Sequence, residues 1–519
     1  MGRKENAAST FIVMTCTFIS RILGFVRTAV ITAIFGAGGK ADVINATFAV
    51  PNNLRKLLAE GALSSAFIPV LGESIQHETD RRESSKPLVN TLISFQLLIL
   101  LPLTTLSIVF ARPLVKYVIT QFSDPGQIDL SIRLFRFFIG YLLLISINSV
   151  LMALLNSHDR FFIPAFTPIF FSISVILSIL LLHNSLGVFS MAVGVLLGGA
   201  GQILFQIPLF KALGYGFRLN FSFSNPQFKT IISRWLPVLA TSSIFTINQQ
   251  VAFILASGLE TGSVSGLSYA LVFWQLPFGL FSASVTTVLF PRMSREATTK
   301  DHQVIGKTLQ YGLRFLFVLL IPSALFLFFF GPETISMALQ RGRFSTENTL
   351  MTATILRAYC WGLFSVGAFQ FLQRFFYANK HYKIPFIAAS ITVIIDIILS
   401  LILKETSLKV SGLAHANSIA FTIGTIILLF YSTRLIDLTA YLKNFLSTLA
   451  KVTLSMWPML LLFVLRTRFA EDWWIGGSSL GGLLTLLGCT AVLGLLVLLM
   501  YRLTKIEMFS SSFFPRRKP

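Results

Sequence analysis

Runs of about 20 mostly apolar residues, the length that crosses a lipid bilayer as a helix, recur from one end of this chain to the other. Polar or Gly/Pro punctuation marks off fourteen of them: 9–35, 42–75, 88–111, 130–156, 161–182, 187–210, 230–257, 265–291, 308–330, 348–378, 384–403, 410–433, 444–465 and 477–501. The second is long, amphipathic and broken at Pro51. The expected fold class is therefore an all-α polytopic membrane protein of about 14 transmembrane helices. Composition agrees: of 519 residues, 54% are hydrophobic and 12% charged, which is far more apolar than a soluble domain.

The net charge of +21 would point to nucleic acid in a soluble protein. Here the basic residues sit in alternate connections between apolar runs, about 23 on the side of the N-terminus against about 9 on the other, and the positive-inside rule then places both termini in the cytoplasm. No nucleic-acid partner is expected. Arg3 and Lys4 before the apolar Phe11–Ile19 imitate a signal peptide, but Arg21 and Arg27 interrupt the run and no small-residue cleavage site closes it. Cys16, Cys360 and Cys489 lie far apart in apolar runs, without CxxC spacing, and read as small hydrophobes. The connections are too short for a soluble domain, so any function sits within or beside the membrane. A faint internal repeat is visible where Ser64–Pro69 closes the second run and Thr286–Pro291 closes the eighth, as in transporters built from two similar lobes.

The chemistry-bearing residues are charges inside the runs. Ser20-Arg21-Ile22-Leu23-Gly24-Phe25-Val26-Arg27 places two guanidinium groups deep in the first, where a charge costs several kcal/mol unless it faces a cavity or a partner. On a straight helix six residues turn them about 120° apart and roughly 9 Å along the axis, so a bend at Gly24 is needed for both to face one cavity. The second run supplies Pro51-Asn52-Asn53-Leu54-Arg55-Lys56 and then Glu60. Lys56 and Glu60 are spaced to neutralise each other, which leaves Arg55, while Pro51 suits the first turn of a restarted half-helix. No acid lies between Glu5 and Asp42. Arg21, Arg27 and Arg55 thus imply an anionic ligand, and the planar arginine fork matches phosphate oxygens. Arg133, Arg136, Arg234 and Arg314 lie near span ends, where they snorkel; Arg357, in Leu356-Arg357-Ala358-Tyr359, is a further cavity candidate. Asp396, in Ile394-Ile395-Asp396-Ile397-Ile398, either pairs with an arginine, cycles a proton or binds a cation with Thr392, one turn away, as a second oxygen donor.

Enzyme signatures are missing. The six histidines form no HExxH, and there is no Walker A loop, GxGxxG, Cys/His metal spacing or tight cluster of aspartates. Neither catalysis nor a resident metal or cofactor is expected.

The segment 20–27, Phe35-Gly36-Ala37-Gly38, Asp42, Pro51-Asn52, Leu54-Arg55 and Ala59-Glu60-Gly61-Ala62 with Phe67-Ile68-Pro69 resemble the MurJ (MviN) family of lipid II flippases, in the MOP exporter superfamily. Gly262–Ser265, Gln340–Phe344, Phe376-Tyr377-Ala378 and Lys383-Ile384-Pro385 continue the resemblance along the chain. It implies two six-helix lobes around a cationic cavity, over 1–212 and 213–436, with a C-terminal helix pair and basic tail over 437–519 that adds a groove for a polyprenyl chain. It further implies translocation of undecaprenyl-pyrophosphate-linked peptidoglycan precursor to the periplasmic leaflet by alternating access. The substrate residues it implies are Arg21, Arg27, Arg55, Asn52 and Glu60. Val272 stands where many relatives carry an arginine in the eighth span, and Arg357 is the expected substitute for that charge. The coupling would come from Na+ or H+ near Asp396 and Thr392, or from membrane potential, and the partners would be lipid II, membrane lipids and the cell-wall synthesis machinery. The rival readings are another MOP exporter, either an oligosaccharide-lipid flippase or a MATE-type antiporter, and a membrane scaffold of a cell-wall complex.

Overall fold

The computed structural model of the chain describes residues 3–58, 67–68, 70–73, 85–298, 302–436, 439–469 and 480–506. Among them every regular element is helical. The chain divides into two compact units, Met1–Ser265 and Gly266–Pro519.

The first unit contains α1 (Arg3–Phe35), α2 (Gly39–Leu58), α3 (Ser85–Val109), α4 (Pro125–Ser157), α5 (Phe162–Leu186), α6 (Phe189–Ala212) and α7 (Pro226–Ser257). Where helices start, the sequence says why. Asp124 accepts from the Gln127 N–H with Pro125 following, and Asn225 accepts from the Gln227 N–H with Pro226 following; each pair combines an N-cap oxygen with a proline that lacks the N–H this position leaves unused. Helix α4 is the axle of the unit, its Leu134, Phe138, Tyr141 and Ile145 packing with Ile31 and Phe35 of α1, Ile44 of α2 and Val175 of α5. Small residues bring α5 and α6 together: a Cβ at Gly194 would stand 2.8 Å from the Val175 Cα, the close approach on which helix association in lipid relies.

The second unit contains α8 (Ser263–Thr298) apart from its first three residues, which belong to the first unit, then α9 (His302–Leu339), α10 (Thr346–Cys360), α11 (Leu363–Ala378), α12 (Lys383–Leu403), α13 (Lys409–Ser432), α14 (Thr439–Ser455), α15 (Trp457–Phe469) and α16 (Leu480–Leu503). Helix α8 widens to a π turn over Phe278–Ser282, directly after Pro277. Helices α10 and α11 are one apolar span bent by 45°. Gly362 sits at the bend because α13 comes so close that a Cβ there would meet the Ser418 Cα at 2.7 Å.

Helix α9 holds two prolines, Pro322 and Pro332, and a kink at Phe330 (φ −106°, ψ 16°). A proline inside a helix leaves the carbonyl four residues earlier without its donor, here those of Val318 and Phe328. Both are satisfied from outside the helix. The Tyr501 hydroxyl of α16 donates to the Val318 carbonyl at 2.8 Å, and Arg357 Nε donates to the Phe328 carbonyl at 3.0 Å. Val318 and Tyr501 are buried together with Phe317, Val452, Met456 and Val497, which joins α14 and α16 to α9.

Eleven helices among the described residues are long and apolar enough to span a membrane, or twelve with the bent pair. Helix α2, which carries Asp42, Arg55 and Lys56, is not among them, and its polar side chains face those of α7. Asn53 Nδ2 donates to Gln250 Oε1 at 3.0 Å, and Lys56 Nζ to Gln249 Oε1 at 3.1 Å. Further along the same stripe of α2, Asn45 donates to Ser265 Oγ at 3.3 Å. Asp42 accepts from the backbone N–H groups of Gly262 and Ser265, at 2.5 and 2.8 Å, and so caps the start of α8. The boundary between the compact units falls between Ser265 and Gly266, in the first turn of α8. The two segments of the faint repeat are not comparable, since residues 64–66 and 69 lie outside the described residues.

Candidate anion site in the first unit

Helix α2 has a second stripe, Phe48, Asn52 and Arg55, turned away from α7. Phe48 lies against Phe138 and Tyr141 of α4, with ring centroids 5.3 and 6.3 Å apart. Tyr141 in turn packs on Phe171 of α5 at 5.3 Å. Arg27 reaches this wall from α1, its guanidinium carbon 5.3 Å from the centroid of Phe171, a distance that allows a cation–π attraction. Asn52 Oδ1 accepts from Nε and Nη2 of Arg55, at 3.3 and 3.1 Å, so the amide one helical turn earlier fixes the direction of the fork. Arg27 and Arg55 interact electrostatically with each other and with Tyr141. Two guanidinium groups are thus brought together beside an aromatic wall, and Arg27 forms no ion pair among the described residues.

The structure unites two of the three arginines. Helix α1 runs from Arg3 to Phe35 with no break at Gly24. The Gly24 carbonyl stays within the helix and also accepts from the Thr28 hydroxyl at 3.1 Å. Arg21 is exposed, whereas Arg27 is half-buried. Pro51 lies inside α2 rather than at the first turn of a restarted helix. Glu60 lies outside the described residues. Tyr141 and Phe171, which complete the wall, carried no sequence signal, each being one aromatic residue among many in apolar spans.

Arg357 is half-buried, and its Nε is engaged by the carbonyl that Pro332 frees. Asp396 is 4% exposed and accepts from Asn417 Nδ2 at 2.7 Å and from Ser400 Oγ at 3.3 Å. Thr392 turns back to its own helix, donating to the Ala388 carbonyl at 2.8 Å. The neighbours of Asp396 are therefore an amide from α13 and the hydroxyl one turn later, in place of the hydroxyl one turn earlier. The described residues hold no cluster of three or more His, Cys, Asp or Glu with metal-binding geometry. Val272 is half-buried in α8.

An all-helical body of long apolar spans, with a pair of guanidinium groups inside one unit, defines a multi-pass membrane protein with a transporter fold. The family model described as "Lipid II flippase MurJ" matches residues 31–485, and the chain belongs to that family. A probable lipid II flippase MurJ of Borreliella burgdorferi is 33% identical over 506 residues, 96% of this chain and 98% of its own. A lipid II flippase MurJ of Burkholderia cenocepacia is 29% identical over 376 residues, 71% of this chain and 72% of its own. A solved structure of lipid II flippase MurJ in an inward closed conformation aligns with a TM-score of 0.75 at 27% identity, over 96% of this chain and 99% of its own. An inward-facing multidrug resistance MATE transporter of the MOP superfamily aligns with a TM-score of 0.63 at 14% identity, over 83% of this chain and 99% of its own, which shows a shared fold alone.

Proposed function

We propose that this chain translocates lipid II from the cytoplasmic to the periplasmic leaflet of the bacterial inner membrane by alternating access. The observation that carries the reading is the pairing of Arg27 and Arg55 beside Tyr141 and Phe171. Two like charges held together in a poorly solvated place repel each other. A pyrophosphate relieves that repulsion and fills both forks with charge-assisted hydrogen bonds. Membership of the family and the names of its relatives support the same substrate.

In this reading Arg27 and Arg55 hold the pyrophosphate and Asn52 positions Arg55. Arg21, on the same helix as Arg27, meets the headgroup at another stage of the cycle, and Glu60, five residues after Arg55 in the sequence, is a further headgroup contact. Arg357 serves the kink of α9 rather than the ligand. The polyprenyl chain stays in the membrane, against the C-terminal helices. Asp396, with Asn417 and Ser400, is the proposed seat of a coupling cation or proton, and membrane potential is the other source of drive. Both termini face the cytoplasm. The protein acts as a transporter without chemical turnover and works beside the cell-wall synthesis machinery.

The test is replacement in cells that depend on this chain, followed by labelling of lipid II accessible from outside. Arg27→Ala and Arg55→Ala are expected to leave lipid II on the cytoplasmic side while the protein remains in the membrane. Normal outside labelling in both variants would remove them from the site.

A further inference from the structure

The connection after α6 forms a strap across the start of α3. Residues 215–222 form no helix or strand, and the strap is tied down at intervals. The Tyr215 hydroxyl lies 2.7 Å from Ser85 Oγ and 2.9 Å from His158 Nε2. The Arg218 N–H donates to Asn90 Oδ1 at 3.3 Å and the Asn220 N–H to Ser94 Oγ at 2.8 Å. Asn90 and Ser94, one helical turn apart and about 6 Å along the axis, thus meet alternate N–H groups of the strap.

Between strap and helix lies a cavity of about 660 Å3, whose lining includes the polar residues Lys86, Asn90, Arg218 and Asn220 and the apolar Pro87 and Leu219. Neither Lys86 nor Arg218 forms an ion pair among the described residues. The odd-numbered residues of the strap are apolar and exposed: Phe217 45%, Leu219 70% and Phe221 55%. The strap runs past the ends of α3, α4 and α6, where apolar spans stop and water begins, on the membrane face richer in basic residues.

We infer that this cavity binds the phosphate headgroup of an anionic phospholipid of the cytoplasmic leaflet. Lys86 and Arg218 supply the counter-charge, Asn90 and Asn220 lie at its wall, and Phe217, Leu219 and Phe221 enter the acyl region beside the bound lipid. Charge alone would suit a soluble phosphate equally. The exposed apolar residues interleaved with the charged and polar ones, Leu219 at the cavity wall itself, favour a lipid, whose headgroup and tails need both kinds of surface. The site shares no residue with Arg27 and Arg55 and does not depend on the transported substrate.

The test uses the purified full-length chain in mild detergent, titrated with phosphatidylglycerol or phosphatidylcholine and read by native mass spectrometry. The expected result is one phosphatidylglycerol retained ahead of all others, with its affinity about tenfold weaker in Lys86→Gln/Arg218→Gln, since each basic side chain at an anionic membrane surface contributes about 1 kcal/mol and part of that remains from neighbouring charges. Lys211→Gln/Lys229→Gln, which removes exposed charges nearby that do not line the cavity, leaves binding unchanged. Lys86→Arg/Arg218→Lys keeps both charges and keeps the lipid, and millimolar inorganic phosphate does not displace it. Equal weakening in the two glutamine double variants would reduce the effect to diffuse surface charge and overturn the site. Loss of binding in the charge-preserving variant, no loss in the cavity variant, or displacement by inorganic phosphate would each overturn it as well.

Discussion

Pro322 and Tyr501 lie far apart in sequence, yet the fold makes them parts of one hydrogen-bonding problem, and Tyr501→Phe tests it. The substitution keeps the ring that packs with Phe317, Val452 and Val497 and removes one hydroxyl, leaving the Val318 carbonyl, in a residue 1% exposed, with neither its helical donor nor its replacement. A buried acceptor left unsatisfied costs about 1–3 kcal/mol. Pro322→Ala restores the N–H at position 322 and with it the bond to Val318, so Tyr501→Phe in that background is expected to cost less than about 0.5 kcal/mol, the range of a substitution that breaks no specific interaction. The assay is denaturant or thermal unfolding of the purified protein in one detergent, across the four members of the cycle. Equal destabilisation by Tyr501→Phe with and without Pro322 would refute the idea that the hydroxyl substitutes for the missing N–H.

Other outcomes follow from the same reasoning. Arg357→Ala is expected to destabilise the fold by about 1–3 kcal/mol through the Phe328 carbonyl, with most of the loss recovered in a Pro332→Ala background; an unchanged melting temperature would show that the Nε contact contributes nothing. Gly424→Ala places a Cβ 2.1 Å from Thr392 Oγ1 and 2.8 Å from the Phe369 ring, an overpacking that costs about 1–3 kcal/mol, and unfolding measurements should show Thr392→Ala relieving part of it. Asp42→Ala removes the acceptor for two N–H groups at the start of α8, a loss of about 2 kcal/mol; hydrogen exchange at Gly262 and Ser265 should quicken, and unchanged protection there would rule out the cap.

The spans were legible because a bilayer demands about 20 apolar residues from each helix that crosses it alone. The polar stripe of α2 closes on α7, and pairing between helices separated by well over a hundred residues leaves no local mark. The same limit applies to Asp396. Helical spacing brought Thr392 to notice, but the amide that reaches the carboxylate comes from Asn417 on the next helix. For the arginines, spacing showed that a straight α1 cannot aim Arg21 and Arg27 at one point, and α1 is unbroken. Spacing did not show that Arg27 would find Arg55 instead, because that meeting depends on the packing of α1, α2, α4 and α5 around Tyr141 and Phe171. Pro332 and Arg357 illustrate the converse: a charge in an apolar span that reads as a ligand group from sequence engages a backbone carbonyl in the fold.

The central claim is that this chain moves a pyrophosphate-linked lipid by way of Arg27 and Arg55. The most direct measurement is transfer of fluorescent lipid II between leaflets of proteoliposomes, read by quenching from outside, with the unaltered chain, Arg27→Ala, Arg55→Ala and the double variant reconstituted at equal density. The account predicts protein-dependent transfer that falls at least tenfold in each single variant, the double variant being little worse because both residues hold one ligand group. Transfer no faster than in protein-free vesicles, or undiminished transfer in the double variant, would contradict it.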